Sequence, residues 1–137
     1  GRTDRLNPEL WSTIQNALSL TNDNTGLNLS IALDYGGRHE IVQAVKQIIH
    51  DNISAGEITE ELFQRYLYTA DLPDPDLVIR TGGEQRPSNF LTWQSVYSEY
   101  YYSETLWPDF DEVELDNVLI AYSKRRRRFG ALDTTLQ

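Results

Sequence analysis

Apolar and polar positions alternate along this chain with two different periods, and the switches between them mark out its elements. After Pro8, the residues Leu10, Ile14, Ala17 and Leu18 recur at helical spacing. Proline is favoured in a first helical turn, so the pattern predicts a helix over 8–20. Asn22-Asp23-Asn24-Thr25-Gly26 is rich in turn formers. Leu27, Leu29, Ile31 and Leu33 then alternate with smaller or polar residues, the period of a strand. Asp34-Tyr35-Gly36-Gly37 breaks that run, and Ile41, Val42, Val45, Ile48 and Ile49 form a helical stripe ending near Asn52 or Gly56.

The second half repeats the alternation. Thr59 with Glu60 and Glu61 predicts the start of a short helix through Leu67. Pro73 and Pro75 mark a loop, and Asp76-Leu77-Val78-Ile79-Arg80 reads as a short buried strand followed by Thr81-Gly82-Gly83. Residues 88–98 read as helical, Glu99 to Ser103 as a strand, and Asp111 as the start of a last helix running into an arginine cluster. Strands alternating with helices predict an α/β fold with a largely parallel central sheet flanked by helices. No repeat and no linker interrupts it, so residues 1–137 are expected to belong to one domain.

Composition narrows the function. The 137 residues are 39% hydrophobic and 24% charged, which suits a globular chain. There is no cysteine, which excludes disulfides and thiolate metal sites and fits a cytoplasmic location. The apolar runs are too short to cross a bilayer, though peripheral membrane contact remains open. The net charge of −9 argues against a nucleic-acid partner. That charge is uneven, because five of the twelve basic residues are Lys124 to Arg128. In so acidic a body, each remaining arginine stands out as a candidate for binding an anion. The chain contains no methionine and begins at Gly1, which reads as truncation.

Candidate chemistry concentrates in the segment from Asp76 to Phe90. A strand ends in Arg80, two glycines permit a tight turn, and Arg86 and Ser88 follow. Loops at the C-terminal ends of strands in α/β sheets are where ligands bind. Two guanidiniums, a hydroxyl and glycine N–H groups suit a phosphate or diphosphate. The same arginines would equally serve structural ion pairs with the many carboxylates, and spacing leaves both readings open. Lys124 to Arg128 has the simple reading of cations at a helix C-terminus. His39 and His50 read as solvent-facing helix residues, too few for a protein-built zinc site.

Asp76 to Phe90 closely resembles the C-terminal signature of the cis-prenyltransferases, the undecaprenyl diphosphate synthase family. The resemblance continues through Trp93, Tyr97, Glu99, Leu106-Trp107-Pro108-Asp109-Phe110 and Arg127-Arg128-Phe129-Gly130. Upstream it includes Asn24-Thr25-Gly26 and Tyr35-Gly36-Gly37-Arg38, so it spans nearly the whole chain. It implies a transferase that condenses isopentenyl diphosphate onto an allylic prenyl diphosphate such as farnesyl diphosphate, giving undecaprenyl or a similar polyprenyl diphosphate. It further implies that Arg80, Arg86 and Ser88 hold the diphosphate of isopentenyl diphosphate, with Glu84 in the same site and Glu99 a ligand of Mg²⁺. Arg128 and Gly130 match an Arg-any-Gly element that reaches the other subunit's site in a homodimer. Peripheral membrane contact would then serve product release. Where the family commonly has Asn, this chain has Asp34, so Asp34 to Arg38 reads as structural support. The family's N-terminal Asp-Gly-Asn-Gly-Arg-Trp segment, with its catalytic aspartate, has no counterpart in this sequence. The expectation is therefore an N-terminally truncated synthase fold, inactive as a fragment. The alternative is a non-catalytic or partner-type subunit that lends an isopentenyl-diphosphate-binding element across a dimer.

Overall fold

The computed structural model describes residues 1–125, in two compact units: Gly1–Tyr68 and the unit that begins at Thr69. The expected Arg128 and Gly130 element lies outside the described residues.

The first unit contains three helices: α1 (Pro8–Thr21), α2 (Gly37–His50) and α3 (Glu60–Gln64). α1 starts as expected, with Pro8 in its first turn and the Asn7 side chain accepting from the Leu10 N–H at 2.7 Å. α2 ends in a left-handed cap. Asn52, at φ 58°, lets the Asn52 and Ile53 N–H groups reach the carbonyls of Ile49 and Ile48. α3 stops at Gln64, and the chain continues to Leu67 as i→i+3 turns. The core of this unit is Ala44, Ile48, Phe63 and Leu67. At its edge the buried carboxylate of Glu40 accepts from the Tyr35 hydroxyl at 2.5 Å and the Tyr68 N–H at 2.8 Å. The buried face of α2 therefore runs Gly37, Glu40, Ala44, Ile48, and of the expected stripe only Ile48 is buried. Val42, Val45 and Ile49 face solvent. His39 is half-buried and bonds Gln43, while His50 is exposed as expected.

The expected strand over 27–33 does not form. Leu27 is 93% and Ile31 71% exposed, and the segment makes no ladder hydrogen bonds among the described residues. Alternation specifies which faces a strand would present, but a strand exists only with a neighbour to pair with.

The second unit carries the sheet. β1 (Leu77–Arg80) pairs in parallel with β2 (Glu99–Tyr102), Leu77 opposite Glu99 and Arg80 opposite Tyr102. All four residues of β1 are half-buried rather than buried. α4 (Glu112–Ser123) packs on β2, its Val118 is fully buried, and the Asp111 carboxylate caps it by accepting from the Glu114 N–H at 3.0 Å. It ends at Ser123 with Lys124 as its cap, short of the arginines. The helix expected over 88–98 is replaced by turns. Ser88, Asn89 and Leu91 all take positive φ, which breaks any helical run.

Candidate diphosphate site on the loop after β1

Arg80 closes β1 at the C-terminal edge of the sheet, where its side chain meets the returning loop. Its guanidinium donates to the Ser88 hydroxyl at 2.7 Å, to the Arg86 carbonyl and to the Glu84 carboxylate. Arg86 reaches the same Glu84 oxygen at 2.6 Å. Four of the expected residues, Arg80, Glu84, Arg86 and Ser88, thus converge on one loop. Spacing left open whether the arginines bind an anion or pair with carboxylates, and here the anion they grip is the loop's own Glu84.

Two glycines make the convergence possible, though not by the expected route. Gly82 and Gly83 take φ values of 87° and 76°, a region that side-chain-bearing residues rarely enter. Their N–H groups donate to the carbonyls of Thr105 and Ser103, each at 2.9 Å. The glycine amides therefore fasten the loop to the segment leaving β2 and do not serve as free donors to an anion. A Cβ on Gly83 would also lie 2.7 Å from a Glu104 carboxylate oxygen. Beside the arginines is a cavity of about 180 Å³ bordered by Val78, Pro87, Phe90, Tyr100 and Tyr102. A charged rim is thereby set against an apolar, aromatic floor.

Glu99 stands apart. It opens β2 opposite Leu77, three residues from the partner of Arg80, a separation of about 10 Å along the strand. Its carboxylate pairs with Arg125 at 2.9 Å, and Arg125 also donates to the Tyr100 carbonyl at 2.7 Å. The sequence signalled a basic cluster but not this individual role for Arg125, because the pairing joins residues 26 positions apart. Among the described residues no group of three or more His, Asp or Glu side chains could hold a metal ion. Glu84 is engaged by two arginines and Glu99 by one, at opposite ends of β1 and β2. These carboxylates do not build a Mg²⁺ site by themselves.

Comparison with known proteins settles the relationship. The family described as "Putative undecaprenyl diphosphate synthase" matches residues 1–130. The chain belongs to that family. An isoprenyl transferase of Streptococcus pneumoniae is 53% identical over 96% of this chain and 56% of its own length. One from Neisseria gonorrhoeae is 51% identical over 95% of the chain and 52% of its own length. Among solved structures, the lavandulyl diphosphate synthase of Lavandula x intermedia, in complex with dimethylallyl diphosphate, superposes with a TM-score of 0.90 at 37% identity. It is covered over 58% of its chain, and 96% of this one. A "probable undecaprenyl diphosphate synthase" from Campylobacter jejuni gives a TM-score of 0.85 at 34% identity, over 96% of this chain and 61% of its own. The chain thus spans a little over half the length of the relatives it matches, and the family's α/β fold with a parallel sheet is confirmed. Of the described helices, none is long and apolar enough to cross a membrane.

Proposed function

We propose that this chain carries the isopentenyl-diphosphate half of a cis-prenyltransferase, an enzyme that extends an allylic diphosphate such as farnesyl diphosphate. The observation that carries the reading is the convergence of Arg80, Arg86 and Ser88 at the C-terminal end of β1. Two guanidiniums and a hydroxyl offer charge-assisted donors to the terminal oxygens of a diphosphate. The adjoining cavity suits the short isoprenoid tail of the same molecule. Relatives named isoprenyl transferases, and a structural neighbour in complex with dimethylallyl diphosphate, support the substrate class.

In the whole enzyme, these side chains bind and orient the diphosphate so that the homoallylic double bond can attack the allylic carbon. The allylic diphosphate departs and a proton is lost from the condensed product. The charge that develops falls on the departing allylic diphosphate, so the part of Arg80, Arg86 and Ser88 is to bind and orient the attacking molecule. Mg²⁺ is the cofactor implied by the family resemblance. Glu99, the ligand that the resemblance implies for it, pairs with Arg125 in this structure. The reading includes residues 1–137 as part of one catalytic domain, a cytoplasmic homodimer and an Arg128–Gly130 element acting across it. Release of the polyprenyl product at a membrane surface belongs to the same proposal.

Calorimetric titration of the full chain with isopentenyl diphosphate tests the central claim. Saturable binding that Arg80→Ala removes is expected. Binding unaffected by that substitution would overturn the assignment of the loop.

A further inference from the structure

Glu84 has no part in the proposed binding step, yet it holds the position an incoming anion needs. One oxygen of its carboxylate accepts from Arg80 and forms an ion pair with Arg86. A phosphate binding to the arginine pair would have to take over those same donors. We propose that Glu84 is a resident anion of the site, a carboxylate that keeps the two guanidiniums together while no diphosphate is bound and must be displaced when one arrives. This inference rests on the reading of the loop as a diphosphate site.

The geometry supports displacement over a shared arrangement. A carboxylate and a phosphate repel each other, and both would draw on the same two guanidiniums. Glu84 has somewhere to go, since its side chain is 46% exposed. The arginines are not equally free to follow. Arg80 is also tied to Ser88 and the Arg86 carbonyl and is 25% exposed, whereas Arg86 is 62% exposed. Arg80 is therefore the fixed half of the pair and Arg86 the adaptable half. When only a fraction of the sites is open, every ligand's apparent affinity falls by that same fraction. Displacement thus weakens all anions by one common factor. Repulsion by a fixed charge at a distance would instead grow with the charge of the ligand.

That difference gives the test. The full chain and its Glu84→Gln variant are titrated with inorganic phosphate and with inorganic pyrophosphate, without divalent cations. Glutamine keeps the shape but loses the charge-assisted grip on the arginines. The expected result is a gain of roughly tenfold in affinity, equal for the two ligands. Unchanged or weaker binding would overturn the inference, as would a gain clearly larger for pyrophosphate. Glu84→Asp, which shortens the reach and keeps the charge, guards against a folding artefact and should give a smaller gain in the same direction. Arg80→Ala separates the two claims. If it abolishes pyrophosphate binding while Glu84→Gln changes nothing, the anion site stands and the resident role of Glu84 falls. If neither the chain nor Glu84→Gln binds pyrophosphate, the site itself is refuted and the inference goes with it.

Discussion

Arg80 donates to three acceptors from one guanidinium, whereas Arg86 contacts the loop through Glu84 from a more exposed position. Replacing Arg80 by alanine therefore removes both a ligand-facing charge and the contacts that bring Ser88 inward. Each charge-assisted hydrogen bond contributes ~1.5–3 kcal/mol, so loss of an arginine should weaken use of isopentenyl diphosphate roughly tenfold to a hundredfold. Steady-state kinetics of a full-length enzyme carrying Arg80→Ala or Arg86→Ala should show a raised KM for isopentenyl diphosphate and a nearly unchanged KM for the allylic substrate. Equal losses for both would return the arginines to a structural role. Arg80, Arg86 and Ser88 were legible in the sequence as an anion-site candidate because they fall within nine positions around two glycines, and the family resemblance added Glu84. The grip of Glu84 was not, since spacing cannot say which partner a guanidinium selects. Glu99 illustrates the opposite limit. The family resemblance assigned it to the metal of the same site, and in the structure it opens β2 opposite Leu77 and pairs with Arg125.

At the scale of elements, caps were read well and context was not. Pro8, Thr59 and Asp111 each sit at the helix start that their chemistry predicts. The helix over 88–98 failed because three side-chain-bearing residues take left-handed backbone there, and composition does not announce that. The strand over 27–33 failed for want of a neighbour, which no local pattern supplies. The tight turn after β1 allows a direct check. Gly83→Ala would force a side chain into positive φ against Glu104, and should cost about 1–2 kcal/mol. Urea unfolding should show a lower midpoint with an unchanged slope. The C-terminal end of α2 gives a pH dependence. Hydrogen bonds from His50, then from Gln47 and Tyr66, hold the Asp51 carboxyl below its usual range. A depressed carboxylate contributes stability above its unfolded pKa, and that contribution is lost as pH falls through the folded value. Thermal melts should therefore find Asp51→Asn less stable than the parent chain at about pH 7. The difference should fade in acid below the carboxylate range.

For the molecule as a whole, the proposed dimer carries its own test. Full-length subunits bearing Arg80→Ala or Arg128→Ala should each be strongly impaired alone when isopentenyl diphosphate is held well below the raised KM. If Arg128 completes the other subunit's site, random exchange makes half the dimers mixed, each with one intact site. About a quarter of wild-type activity should then return, provided sites act independently. No recovery, with exchange verified by a tag pull-down, would place Arg128 in its own subunit. A second consequence follows from the way the loop after β1 is fastened. The Gly82 and Gly83 amides bond to carbonyls beyond β2, so the ladder continues past the last paired residues. Solvent deuterium can reach those two amides only when that seam parts. Their exchange should therefore keep pace with that of Ser103, whose N–H bonds to the Arg80 carbonyl at 2.8 Å, and lag well behind the turn residues at the loop's tip. The site would then share its opening rate with the sheet, and a bound anion would slow exchange at both together.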